Sequence, residues 1–273
     1  MTLAEAIFCG LVQGLAEFLP ISSSGHLALV HALFGLDAVG SDLAFDVLLH
    51  FGTLIVVFAV YYKEIFALIP AFFTMLGKVF RGKLRFSFFS KEERLVLLLI
   101  VATLPMALGI FVKDRVEWLA SYPKIVGAVL ILNGCVLLFS DHLAKRQKRA
   151  ELSPRGALTV GLFQLMALMP GLSRSGSTIT GGLLCGLDRQ DAVKFSFILS
   201  VPAILGANVL SIPELVSAEI SSLALGYCLA GTAAAAAAGF FAIKLLIYLS
   251  ERAKFGYFAY YSFAVGALAL ILG

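Results

Sequence analysis

Two short stretches of this 273-residue chain carry side chains able to hold or transfer an anionic group: PISSSGHLAL at 20–29 and PGLSRSGSTI at 170–179. Each joins serines and a glycine to an apolar run, the composition of a helix start. Such a start offers backbone N–H groups without intrahelical partners, the positive end of the helix dipole and hydroxyl donors, a set suited to phosphate. Ser22, Ser23 and Ser24 stand in the first stretch; Ser173, Ser175 and Thr178 stand in the second, with Thr178 one helical turn beyond Arg174. The Arg174 guanidinium is costly at membrane depth unless paired, and its fork fits two phosphate oxygens. A phosphate ligand and a buried ion pair with Glu17 are both open to it. Gln13 and Glu17, four residues apart, share a helix face, with Gly10 and Gly14 on a neighbouring one. Their oxygens could hold a divalent cation, Mg²⁺ or Ca²⁺, with water completing the shell; Glu17 could instead carry a proton. His26 follows Ser23 by three residues, within reach of a base-activated serine, and a packing role is equally open to it. His31, His50 and His142 lack such company and read as packing or interface residues. Cys9, Cys135, Cys185 and Cys228 show no CxxC spacing and read as small buried hydrophobes.

The elements that must position these groups belong to a membrane protein. Hydrophobic residues make up 60% of the chain and charged ones 14%, against roughly 25% charged in soluble domains. A polytopic all-α membrane protein follows, with membrane lipids as neighbours and no nucleic-acid partner. The N-terminus has no basic leader and carries Glu5 and Glu17, so it reads as part of the mature chain. Six stretches are long and apolar enough to cross: 44–62, 94–112, 124–142, 193–211, 221–246 and 256–273. Two others, 4–36 and 157–187, are broken midway by proline, glycine and serines. The arm HLALVHALFGL would reach only about 16 Å as a helix. Both broken stretches therefore read as re-entrant helix-loop-helix hairpins. Segment 63–94, with Lys63, Lys78, Arg81, Lys83, Arg85, Lys91 and Arg94, and segment 143–155, with five further basic residues, read as cytoplasmic loops. The acidic segment 211–220 reads as external, which places both termini outside.

The register that lays Gly10 on Gly161 matches Gln13 to Gln164, Ser22 to Ser173, Ser24 to Ser175, Gly25 to Gly176 and Gly35-Leu36-Asp37 to Gly186-Leu187-Asp188. Ser23 falls on Arg174. Three spans separate equivalent points, so the second copy enters from the opposite face, an inverted-topology repeat whose hairpins can meet near the midplane. The expected units are a first repeat at 1–142, a cytoplasmic linker at 143–156 and a second repeat at 157–273. Such an architecture suits a transporter of an anion. The convergence of Ser23, His26 or Glu17, and Arg174 equally suits a membrane phosphotransfer enzyme or phosphatase. A purely structural protein would have no use for a polar cluster at depth.

QGLAEFLPISSSGH resembles the glutamate-or-glutamine-xxx-glutamate motif of the bacitracin-resistance type undecaprenyl pyrophosphate phosphatases, and PGLSRSGST resembles their PGxSRSxxT motif. Gln13 stands where some members carry glutamate. The resemblance extends over essentially the whole chain. It implies hydrolysis of a C55 polyprenyl pyrophosphate lipid to the monophosphate, recycling the carrier for cell-wall synthesis and conferring bacitracin resistance. It further implies Ser23 as nucleophile, Arg174 as phosphate clamp, Glu17 as a catalytic or metal-associated carboxylate and His26 as a proton-handling or positioning residue. Gln13, Ser22, Ser24, Ser173, Ser175 and Thr178 would bind substrate. Divalent-cation activation, a bacterial plasma-membrane location, and a site open to the outer leaflet are likewise implied. Lipid flipping stands as the alternative activity, and a homodimer is compatible with the sequence.

Overall fold

The computed structural model describes residues 2–34, 42–82, 86–145, 150–212, 222–252 and 254–273, and the described residues contain helices and no strand. The matched Gly35-Leu36-Asp37, the basic residues Lys83, Arg85, Arg146, Lys148 and Arg149, and most of the acidic 211–220 segment lie outside them.

Helix α1 (Leu3–Phe18) starts on a capping box, in which Thr2 Oγ1 accepts from the Glu5 N–H and the Glu5 carboxylate accepts from the Thr2 N–H at 2.7 Å. It stops before Pro20, and the chain resumes as α2 (Ser23–Phe34). Ser22, in the break, has φ of 74°, a left-handed conformation that a non-glycine residue adopts at a cost and that clusters at functional sites. The second broken stretch folds alike: α8 (Pro154–Met166), a break containing Pro170 and Gly171, then α9 (Arg174–Leu184). Gly171 has φ of 103°, and a Cβ there would stand 2.7 Å from the Val126 carbonyl oxygen, so geometry and space both require glycine.

Between the breaks lie α3 (Asp42–Val60), α4 (Tyr62–Phe80), α5 (Lys91–Thr103), a 3₁₀ segment (Leu104–Val112), α6 (Lys113–Ala120) and α7 (Pro123–Ala144). After α9 come α10 (Arg189–Leu210), α11 (Ser222–Arg252) and α12 (Gly256–Leu272). Four helical stretches, Lys91–Ala120, Pro123–Ala144, Arg189–Leu210 and Ser222–Glu251, are long and apolar enough to cross a membrane, and α12 is a shorter apolar helix. The segment expected to be a basic loop after residue 62 is instead mostly helix. α3 and α4 meet at 88°, and α4 carries Ile65, Leu68, Ile69, Phe72 and Met75 at helical spacing, a periodicity that its lysines obscure. Beyond Thr103, Pro105 removes an amide donor, and the expected 94–112 helix tightens into the 3₁₀ segment.

The distribution of polarity is that of a protein solvated by lipid. Phe73, Phe111 and Phe241 are 65%, 84% and 71% exposed, while Gln13, Asn133, Thr180, Ser196 and Ser200 are fully buried. The apolar core runs through Phe18, Leu99, Val160, Ile179, Phe197 and Ile243. Glycines let the broken stretches approach their neighbours: α1 packs on α11 where Gly10 abuts the Gly231 carbonyl, and α8 packs on α5 where Gly161 abuts the Ala102 carbonyl. Cys9 and Cys228 are buried as expected, whereas Cys135 is exposed and Cys185 half-buried. On a lipid-facing helix, exposure places a thiol among acyl chains, where a small apolar side chain is equally at home.

Candidate active site

The two breaks face each other and bring their helix starts together. Ser22 Oγ accepts from the Gly25 N–H at 3.3 Å, and Ser173 Oγ accepts from the Gly176 N–H at 3.2 Å, so each serine caps its helix. Each also lies against the next serine but one, Ser22 to Ser24 at 3.5 Å and Ser173 to Ser175 at 3.0 Å. The equivalence read from the sequence thus recurs as equivalent hydrogen bonding. The structure uses Ser22 and Ser173 as caps, while Ser24 is exposed and Ser175 is buried.

Glu17, at the end of α1, is the point on which the cluster converges. Its Oε1 accepts from Arg174 Nη2 at 2.6 Å; its Oε2 accepts from Ser23 Oγ at 2.7 Å and from Gln13 Nε2 at 3.1 Å. The ion pair left open by the sequence is therefore formed, with the Glu17 side chain 5% and the Arg174 side chain 17% exposed. A pair this buried is held by its hydrogen bonds, and removal of either partner strands the other charge. Among the described residues Arg174 Nη1 and Gln13 Oε1 are buried and without a hydrogen-bond partner. Buried polar atoms are nearly always satisfied, and two orphans on the groups that bond Glu17 mark a place where a ligand's polar atoms would go.

Other expected residues take different places. His26 does not bond Ser23 in this structure: its Nδ1 donates to the Ser22 carbonyl at 2.7 Å, and its Nε2 accepts from the Tyr261 hydroxyl at 2.9 Å. The backbone turn into α2 aims the ring back at residue 22, and the Ser23 hydroxyl donates to the Glu17 carboxylate instead. Thr178 does share the Arg174 side of α9, but its hydroxyl donates to the Arg174 carbonyl at 2.8 Å and meets Ser196 Oγ at 2.6 Å. It braces α9 against α10. His50, expected to pack, instead stands with Nε2 3.8 Å from Glu17 Oε2 while Nδ1 donates to the Asp46 carbonyl at 2.8 Å. With Nδ1 carrying its hydrogen, the approach to Glu17 is attractive when the ring is protonated. Asn133 on α7, which no local motif marks in the sequence, bonds both breaks.

No group of three or more His, Cys, Asp and Glu side chains able to hold a metal ion occurs among the described residues. Both Glu17 oxygens accept hydrogen bonds, so the buried Gln13 Oε1 is the oxygen of this pair left without a partner, a donor type suited to a hard cation whose shell is otherwise water and phosphate.

The sequence profile described as bacitracin resistance protein BacA matches residues 6–268. Proteins named undecaprenyl-diphosphatase are similar over nearly their whole length. That of Methanosphaera stadtmanae is 38% identical over 280 residues, covering 100% of this chain and 98% of its own. Those of Halothermothrix orenii and Alkaliphilus metalliredigens are each 39% identical, covering 100% and 99% of this chain and 98% of their own. The chain belongs to the family of BacA bacitracin resistance proteins.

Proposed function

We propose that the chain is an integral membrane phosphatase that hydrolyses undecaprenyl pyrophosphate to undecaprenyl phosphate and inorganic phosphate. The observation that carries this reading is the arrangement of Arg174: one arm holds Glu17, and the other is buried without a partner beside a serine whose hydroxyl already donates to the same carboxylate. Arg174 Nη1 and the first-turn N–H groups of α2 and α9 take the phosphate oxygens. Ser23 Oγ bonds the terminal phosphorus as the bridging P–O bond breaks; the bond's electron pair leaves with the lipid monophosphate, and the Ser23 proton passes to Glu17. Water then attacks the phosphoserine, releasing inorganic phosphate and restoring the Ser23 hydroxyl. A divalent cation, Mg²⁺ or Ca²⁺, would rest on Glu17 and Gln13 and neutralise pyrophosphate charge.

The fold completes the reading as six spans and two re-entrant hairpins in inverted repeats, at 1–142 and 157–273, joined by a cytoplasmic linker at 143–156. The paired serine caps and the paired glycine contacts of α1 and α8 support it. Both termini lie outside, and the site opens to the outer leaflet of the plasma membrane.

The test is phosphate release from a prenyl pyrophosphate by purified protein, with and without chelator, alongside Ser23→Ala. The variant should lose turnover by orders of magnitude and keep substrate affinity within about tenfold, or roughly 1.4 kcal/mol. A wild-type rate for Ser23→Ala would transfer the attack to water; binding without phosphate release by the unmutated protein would leave the site to a lipid transporter.

A further inference from the structure

We propose that Asn133 is a positioning residue that holds the two helix breaks in one register, so that Ser23 and Arg174 meet on Glu17; the inference rests on the phosphatase reading. Asn133 lies on α7, outside both broken stretches, and is fully buried. Its Nδ2 donates to the Pro20 carbonyl at 2.9 Å and to Ser262 Oγ of α12 at 3.2 Å, and its Oδ1 accepts from the Ser173 N–H at 3.0 Å. Pro20 stands three residues before Ser23, and Ser173 immediately before Arg174. One amide therefore ties the backbone leading to the hydroxyl to the backbone leading to the guanidinium.

The chemistry of the position selects an amide. It must give a hydrogen to one break and take a hydrogen from the other within one planar head, and here Nδ2 also gives a second hydrogen to Ser262, a combination of two donor hydrogens and an acceptor that the uncharged primary amide supplies. The frame behind it is rigid. Val126, Leu130 and Leu137 of α7 are fully buried, and Gly127 brings α7 against α12, where a Cβ would stand 2.8 Å from the Gly266 carbonyl oxygen. Because reacting groups misplaced by about 1 Å can cost a hundredfold in rate, slack in this tie should appear in turnover rather than in binding.

The experiment compares Asn133→Leu, Asn133→Asp and Ser262→Ala with the unmutated protein in detergent, normalised to folded, monodisperse material. Three quantities are read: kcat and KM for phosphate release from a prenyl pyrophosphate, the unfolding temperature, and hydrogen–deuterium exchange of peptides covering the two breaks. Asn133→Leu should lower kcat about a hundredfold or more with KM within about threefold, and raise exchange at both breaks together. Asn133→Asp keeps the acceptor for the Ser173 N–H and should fall between Leu and wild type, whereas Ser262→Ala should stay within about twofold. A wild-type kcat in Asn133→Leu, or in Asn133→Asp where the leucine variant does not fold, overturns the proposal. So does a loss of rate that merely follows the unfolding temperature across all three variants, or exchange that rises at one break alone. If the unmutated protein releases no phosphate, the phosphatase reading fails, and the exchange arm still decides whether Asn133 couples the breaks.

Discussion

Arg174→Lys keeps the positive charge and removes the fork. In the structure Nη2 is committed to Glu17 Oε1 at 2.6 Å, and Nη1 is buried with no partner among the described residues. A lysine ammonium can sit against the carboxylate or against a phosphate oxygen, but it cannot hold both in the plane that the guanidinium fixes. The transition state then forgoes one hydrogen bond to a charged phosphoryl oxygen, worth about 1.5–3 kcal/mol. At about 1.36 kcal/mol per decade that corresponds to a roughly ten- to 150-fold fall in kcat. The assay is steady-state phosphate release from a prenyl pyrophosphate in detergent micelles at matched folded protein, with Arg174→Ala as the reference for complete loss. Arg174→Ala should be the more damaging, since it also leaves the Glu17 carboxylate buried without its cation. A lysine variant within threefold of the wild-type kcat would refute the two-armed role.

Two further outcomes follow from the packing and the charge pattern. Gly10→Val drives a side chain into the Gly231 carbonyl and should destabilise the protein by at least about 1–3 kcal/mol, whereas Gly206→Ala meets nothing within 4 Å and should leave the unfolding temperature unchanged or higher; thermal unfolding in detergent checks both. Tags at residues 147 and 216, both outside the described residues, should label from opposite sides of the membrane, the first only after permeabilisation, and same-side labelling would end the inverted-repeat proposal.

The helix starts are legible in the sequence because capping is local: serines and a glycine ahead of an apolar run mark both, whereas the use of Ser22 and Ser173, expected on substrate, as the capping serines is seen only in the structure. The convergence on Glu17 is half legible. The register between the two stretches lays Ser23 on Arg174, and a buried arginine needs an anion, but whether a side chain or a ligand supplies it depends on how closely the breaks approach. What stays hidden is what other helices contribute. His50 reaches Glu17 from α3, and Asn133 reaches Pro20 and Ser173 across 113 and 40 residues, so nothing in their own neighbourhoods marks them. The serine–histidine spacing leaves the partner open for a related reason: a three-residue separation fixes proximity along the chain, and the turn into α2 decides that His26 faces Tyr261. In α4 the apolar periodicity is present, but its lysines give the segment the look of a basic loop.

The Glu17–Arg174 pair also tempers the charge of the cleft between the breaks. With Nη2 seated on Glu17 Oε1 at 2.6 Å, the carboxylate offsets the guanidinium while Nη1 keeps its donor, so a weakly charged lipid finds little net attraction there. A ligand with two linked phosphates brings more charge and more oxygens to the remaining arm than one with a single phosphate. On the proposed reaction the monophosphate lipid, one phosphoryl group smaller, is therefore held less firmly than the substrate and leaves once the bridging bond is cut.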